Sequence, residues 1–234
     1  MQSKGNRKIA IAIDGPAASG KSTTAKLVAQ KLGYLHIDTG AMYRAMTVGV
    51  LDAKLDLNDQ EKVVHLAQSS TVHLEIEKGK TRVFFNDVDV TSQIRTPIID
   101  RSVSTVSSYK GVREVMVREQ RRVAQQGGVV LEGRDIGTIV LPQAELKIFM
   151  VASVQERAKR RMKELGENGI RKALQEIIAE IESRDRQDST REASPLKKAA
   201  DAIELDTSAL TIEDQVNFIL DRARKIIQRE EVLI

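Results

Sequence analysis

Ten residues, IDGPAASGKS at positions 13–22, constrain this chain more than any other stretch. Residues 15–22 fit the pattern G-x-x-x-x-G-K-[ST], in which glycines let successive backbone N–H groups point into one concavity without Cβ clashes. Such a loop cradles phosphate only when it leaves a buried strand and opens a helix, whose N-terminus then faces the anion. Both conditions are met. KIAIAID (8–14) is a short β-branched run of strand length, and Ala25, Leu27, Val28 and Leu32 recur at helical intervals up to Gly33, a helix stop. The expectation is a bound ATP or GTP. Gly15, Pro16, Ala17, Ala18, Ser19, Gly20 and Thr23 form its cradle, Lys21 reaches the β- and γ-phosphates, and the Ser22 hydroxyl supports Mg²⁺.

Composition removes other chemistries. With no Cys there are no disulfides, thiolate metal sites or thiol nucleophiles, and three scattered His make a zinc site improbable. Aromatic residues are 3% of the chain and Trp is absent, which argues against a stacking platform for single-stranded nucleic acid. Basic residues precede an apolar stretch at the start, but that stretch covers only residues 9–13, too short for the core of a signal peptide. Nothing approaches the ~18 consecutive apolar residues of a membrane span, so a soluble, cytoplasmic protein is expected. The net charge of +4 reads either as a solvated surface surplus or as Arg concentrated in a cleft that holds phosphates.

Along the chain, YLHID (34–38) reads as a second strand, residues 39–53 as a helix, and a further helix follows Asn58 as N-cap. At 72–91 the period changes to two, with turns at Glu-Lys-Gly-Lys and Asn-Asp, which predicts an antiparallel meander of about three strands. Helical spacing returns over 97–126. VVLEG (129–133), ELKIFMVA (145–152) and DAIELDTS (201–208) are strands. Residues 153–166 and 171–185 are helices joined by ENG, and an amphipathic helix follows Thr211. Strand–helix alternation around about five short apolar strands implies an α/β chain, a parallel sheet covered on both faces.

Three stretches bear on what receives the phosphate. IDTGAMYR (37–44) and LEGRDIGT (131–138) each leave a strand at the end that faces the ligand crevice of a doubly wound sheet, carrying Arg beside a carboxylate. ESRDRQDSTRE (182–192) ends a helix with Arg184, Asp185, Arg186, Asp188 and Arg191, either a solvated helix end or a set of bidentate phosphate forks. Phosphoryl transfer rests on positioning and charge stabilisation, so several Arg on a mobile lid suit it. Arg157, Arg160 and Arg161 lie within one helical turn; they reach the nucleotide or form a basic solvated face.

Taken in order, GPAASGKST, IDTGAMYR, the meander, SYKGVRE, LEGRDIGT and RDRQDSTR resemble the bacterial cytidylate kinases over nearly the whole chain. The loop is common to many families, whereas the other stretches in this order are much more specific. The resemblance implies a three-layer P-loop kinase core with a small antiparallel β insert and a helical lid. The core is residues 1–36, 109–156 and 194–234; the monophosphate-binding region is 37–108, with the insert at about 71–96; the lid is 157–193. It further implies ATP-dependent phosphorylation of CMP and dCMP by in-line transfer, with Mg²⁺ accompanying ATP. Thr39, Arg113 and Asp135 match positions that read the cytosine edge. Ser104, Arg184 and Asp188 match those that hold the pentose, and Arg44, Arg134 and Arg191 those that clamp the acceptor phosphate. Lys21, Arg134 and Arg191 are the implied catalytic cations, and Arg160 is assigned to ATP. Position 39 is Thr where some relatives carry Ser, and no Asp ends the VVLE strand, so Glu132, Asp38 or water completes the Mg²⁺ shell. The rival readings are another small-metabolite or nucleoside monophosphate kinase, and a P-loop NTPase switch with a macromolecular partner. The expected protein is a monomer acting on small molecules, with no nucleic-acid or membrane partner.

Overall fold

Strand β1 (Ala10–Asp14) is the axis of the molecule's main sheet, and its alternation decides which side chains enter the core. A computed structural model describes residues 8–77, 80–125, 127–167 and 169–232. Ile9, Ile11 and Ile13 point to one face, where they meet Ala25, Val28 and Ala29 of α1 (Lys21–Leu32) and Val216, Ile219, Leu220 and Ala223 of α8 (Ile212–Val232). Each aliphatic side chain so enclosed contributes roughly 1.5–3 kcal/mol.

The sheet has five strands in the order β2–β6–β1–β7–β8, with β2 at Leu35–Asp38, β6 at Val129–Gly133, β7 at Leu146–Val151 and β8 at Ile203–Asp206. The pairings of β1 with β6 and β7, and of β7 with β8, are parallel. Register matters for function. Asp14 stands opposite Gly133 of β6, so the glycine-rich loop and Arg134–Asp135 leave neighbouring strands at the same edge. The sheet is the parallel α/β sheet expected from the strand–helix alternation, and no helix among the described residues is long and apolar enough to cross a membrane.

The chain divides into two compact units. The first holds the sheet, α1, α8 and two helices, α6 (Val154–Glu167) and α7 (Leu174–Thr190). Those two form their own small core from Ala158, Leu165, Ile177 and Ile181, packed by Val154, Ile170, Leu174 and Ile178. The second unit spans residues 38–125 and 191–193. It contains α2 (Thr39–Asp52), α3 (Gln60–Ser69), the antiparallel sheet of β3 (Val72–Glu77), β4 (Lys80–Phe85) and β5 (Val88–Asp89), then α4 (Pro97–Ser108) and α5 (Lys110–Ala124). The three-stranded meander and its Asn-Asp turn are present, with Asn86 and Asp87 both at positive φ, as a tight hairpin of this hand requires.

Several boundaries differ from the sequence expectation. The N-cap of α3 is Asp59, whose side chain accepts from Lys62 N at 3.2 Å; Asn58 instead donates its backbone N–H to Asp56. The helical stretch beginning at Pro97 is two helices, because Tyr109 takes an extended conformation (φ −72°, ψ 122°) and its hydroxyl donates to Leu57 O. Helix α5, which the resemblance groups with the core, packs on α3, α4 and β3 of the second unit. A turn with i→i+5 bonds at Ile136–Val140 follows Asp135 without any periodic signal. Thr211 does cap α8, in a reciprocal pair with Asp214. The basic start at 1–7, the Lys78–Gly79 tip of the first hairpin turn, Gln126, and Asn168 of the ENG connection lie outside the described residues.

Gly49 on α2 lies so close to β4 that a Cβ there would sit 2.2 Å from the Phe85 ring. Gly166 near the end of α6 faces open space. Gly49→Ala is therefore expected to lower the unfolding free energy by about 1–3 kcal/mol through overpacking. Gly166→Ala should leave it unchanged or raise it by up to about 1 kcal/mol. Denaturant unfolding of both variants beside the parent checks the contrast.

Candidate active site

The first constellation is built on the end of β1. Gly15 has φ +148° and a Cβ at that position would lie 2.1 Å from Met150 O of β7, so only glycine lets the loop start so close to its neighbour strand. Ala18 takes φ 58°, an unusual conformation for a residue with a Cβ. The loop is braced from outside. Thr207, after β8, donates from Oγ1 to Ser19 O at 2.9 Å, and Thr24 donates to the Gln215 side chain of α8 at 2.8 Å. Ser19 Oγ donates to Pro16 O.

Lys21 folds back onto its own loop, donating to Pro16 O at 2.6 Å and to Ser19 Oγ at 3.2 Å. Burial, together with the positive charge of Arg134, pulls its ammonium down to about 7, with Glu132 and Asp14 opposing the shift. Burial pushes the Asp14 carboxyl up to about 6, although it accepts from Ile136 N at 2.8 Å and from Gly137 N at 2.7 Å.

Ser22 donates from Oγ to Glu132 Oε2 at 2.6 Å, and the other Glu132 oxygen meets His36 Nε2 at 2.9 Å. The three residues come from α1, β6 and β2. A hydroxyl and one oriented carboxylate are hard oxygen donors of the kind Mg²⁺ takes when phosphates and water supply the rest. The pair therefore fits Mg²⁺ that phosphates and water also surround. Asp38 is engaged elsewhere, accepting from Ala41 N and pairing with Arg95 at 3.3 Å.

Arg134 leaves β6 beside this group and donates from Nε to Asp188 Oδ2 of α7 at 2.9 Å, with Asp188 5% exposed. Arg184 lies on the same helix, and Asp135 is buried at the start of the i→i+5 turn. Arg157, 4% exposed, joins three parts of the unit: it donates to Ala152 O, to Ala17 O in the loop, and to Asp185 of α7 at 2.6 Å. Arg160 donates to Ser19 O and to both oxygens of Thr207, and Arg161 pairs with Glu164. The basic turn of α6 is thus neither a solvated face throughout nor three free ligand contacts: two of its Arg hold the loop in shape.

The second constellation lies in the other unit. Thr39 begins α2 and is buried, and Tyr43 and Arg44 follow on the same helix. Arg44 donates to Asp100 of α4, at 3.2 Å from Nη2, and Ser104 stands one turn further along α4. Arg113 of α5 is 3% exposed, donates to Ser107 O at 3.1 Å and sits 5.0 Å above the Tyr43 ring. Arg191 belongs to the short 191–193 segment grouped with this unit. Sequence reading missed Asp14, His36, Thr207 and Gln215, whose partners lie 96 to 191 residues away in the chain. A polar residue closing an apolar strand was the available signal for Asp14.

The family model described as cytidylate kinase matches residues 11–225. Curated relatives named cytidylate kinase are 50% identical: that of Bacillus cytotoxicus over 96% of this chain and all of its own length, and that of Lactobacillus gasseri over 99% of both. The Bacillus subtilis protein of the same name is 50% identical over 92% of this chain and 96% of its own. A solved structure of an uncharacterised protein from Eubacterium ventriosum covers 94% of this chain and 99% of its own at 12% identity, with a TM-score of 0.51, a likeness of fold alone. With the family model spanning most of the chain and relatives at 50% identity over nearly its full length, this chain, a kinase, belongs to the cytidylate kinase family.

Proposed function

We propose that this kinase transfers the γ-phosphoryl group of ATP to CMP and dCMP. The observation that carries the reading is the β1–β6 register, which sets the Lys21 loop beside Arg134 and Asp135. A donor cradle and an acceptor-reading carboxylate then leave adjacent strands. The names of the relatives support cytidine monophosphate as the acceptor.

An oxygen of the acceptor phosphate forms a bond to the γ-phosphorus as the bond to the β–γ bridging oxygen breaks, and ADP leaves. Residues 15–20 and Thr23 offer backbone and hydroxyl groups to the donor phosphates, Lys21 swings from Pro16 O to the β- and γ-phosphates, and Arg160 keeps the loop shape. Ser22 and Glu132 hold Mg²⁺, which when bound supplies positive charge against the phosphate oxygens. Arg134 exchanges Asp188 for the acceptor phosphate, which frees Asp188 and the neighbouring Arg184 for the pentose hydroxyls, together with Ser104. Arg44 and Arg191 complete the phosphate clamp. Thr39, Arg113 and Asp135 read the base, with Asp135 accepting from the exocyclic amine of cytosine. Transfer is favoured by arranged charge in a site closed to water, and the α6–α7 pair, with its own small core, is the lid. The enzyme works in the cytoplasm as a monomer on small molecules.

An ADP-release assay with ATP, Mg²⁺ and CMP, dCMP, UMP, AMP, GMP or no acceptor tests the reading. Turnover is expected with CMP and dCMP, less with UMP, and none with purine acceptors. ATP hydrolysis without an acceptor would favour a switch, and equal rates with UMP would favour a general pyrimidine kinase.

Asp135→Ala is expected to weaken CMP binding about tenfold or more, by removing a charged hydrogen bond, while ATP affinity stays within about twofold. Titration calorimetry with each nucleotide measures both. An equal loss would mark Asp135 as structural.

Lys21 also predicts a proton signature. With its ammonium near 7 in the free protein, most of it is neutral at pH 8, and a polyphosphate beside it restores the charge. ATP binding at pH 8 should therefore take up close to one proton, and affinity should fall by up to about tenfold per pH unit above neutrality. Calorimetry in buffers of different ionisation enthalpy reads the uptake. Binding without any would contradict the assignment of Lys21.

A further inference from the structure

The turn that carries Arg134 and Asp135 is held from below by a residue outside the binding roles above. Asp14 is the last residue of β1, 5% exposed, and its carboxylate grips the turn with both oxygens: Oδ1 accepts from Ile136 N at 2.8 Å and Oδ2 from Gly137 N at 2.7 Å. On the other side of the turn lies the stem of Lys147 from β7, anchored by its ammonium to Pro142 O and Asp201. Gly137 fills the narrow gap between them. A Cβ at that position would sit 3.2 Å from the Lys147 stem and 3.4 Å from Asp14 Oδ2. The turn therefore has one seat, fixed by a two-point charged clamp on one side and a hydrocarbon wall on the other.

A carboxylate that accepts two adjacent backbone N–H groups fixes both the position and the rotation of that peptide segment, and charged bonds of this kind are the strong ones. The clamped N–H groups belong to the two residues directly after Asp135. We propose that Asp14 is a positioning residue for acceptor selectivity: by clamping Ile136 and Gly137 it sets the direction in which the Asp135 carboxylate is presented to the base. The inference rests on the cytidine reading of the acceptor.

The physical consequence is asymmetric between two pyrimidine acceptors. Cytosine offers an exocyclic amine that Asp135 can accept from, whereas uracil carries a carbonyl at the same place and gains nothing from that carboxylate. Loosening the clamp thus removes a contact that only the cytidine acceptor uses. A residue that merely supported the fold would lower turnover of both to the same degree.

The test is Asp14→Asn, which keeps the shape but turns one acceptor into a donor facing a backbone N–H. Steady-state kinetics with CMP and UMP, ATP saturating, and then with ATP varied, are compared with the parent. The expected result is a fall in kcat/KM for CMP of about tenfold or more, with a much smaller fall for UMP, so that selectivity narrows, and a KM for ATP within about twofold of the parent. Equal losses for CMP and UMP, or unchanged selectivity with a raised Mg²⁺ requirement, would overturn the proposal. Gly137→Ala presses the turn from the side of Lys147 and should narrow selectivity in the same sense. It decides the matter if Asp14→Asn does not fold, and unchanged selectivity in Gly137→Ala would then overturn the proposal. A parent enzyme that does not prefer CMP to UMP would overturn the acceptor reading and this inference with it. A parent that does, with neutral variants, would remove only the inference.

Discussion

Parallel pairing of β1 with both β6 and β7 is the constraint on which the site depends. A parallel sheet brings the carboxyl ends of its strands to one edge, so functional loops distant in the chain emerge together. Here the register makes residue 14 the last strand residue opposite Gly133, and the next residue on each strand begins a loop that carries cations. A shift of one residue would send Asp14 to the opposite face and leave two backbone N–H groups of the next turn buried without an acceptor. The apolar side of the same strand, Ile9, Ile11 and Ile13, holds the register in place through α1 and α8.

Within each unit, the cations of the candidate constellations are matched by acceptors from the chain itself. Arg134 is matched by Asp188, Arg157 by Asp185 and Arg44 by Asp100, and Lys21 turns to carbonyl and hydroxyl oxygens. Bare burial of such cations would cost far more than the sheet could offset. Each of these cations thus has an oxygen acceptor from the chain within hydrogen-bond reach. Arg157 and Arg160 also donate to carbonyl oxygens of the loop itself, at Ala17 and Ser19.

Much of this was legible in the chain. The GPAASGKS loop needed only glycine spacing and its strand–helix setting, and the Asn86–Asp87 turn and the Thr211 cap follow from local backbone chemistry. What escaped was set by distance. Thr207 reaches Ser19 across 188 residues and Gln215 reaches Thr24 across 191, and no periodicity encodes a pairing made only when β8 and α8 close the layer. Asp59 displaced Asn58 as a cap because adjacent residues both suit the position and only the backbone entry angle chooses between them. Arg160 was assigned to ATP, and the carbonyl oxygens of Ser19 and Thr207 to which it donates lie in elements read separately in the sequence.

The four buried aliphatic residues that join α6 to α7 have a consequence for cooperativity. So small a core, distinct from the one beneath the sheet, makes the helix pair a folding unit of its own, whose opening costs only a fraction of global unfolding. Amide protons of α7 would then exchange through fluctuations that leave β1 and β7 intact, and the rate at which the pair opens could change through Leu165 or Ile181 without touching a residue that meets phosphate. In evolutionary terms, the speed of such a segment and the chemistry beneath it are free to vary separately.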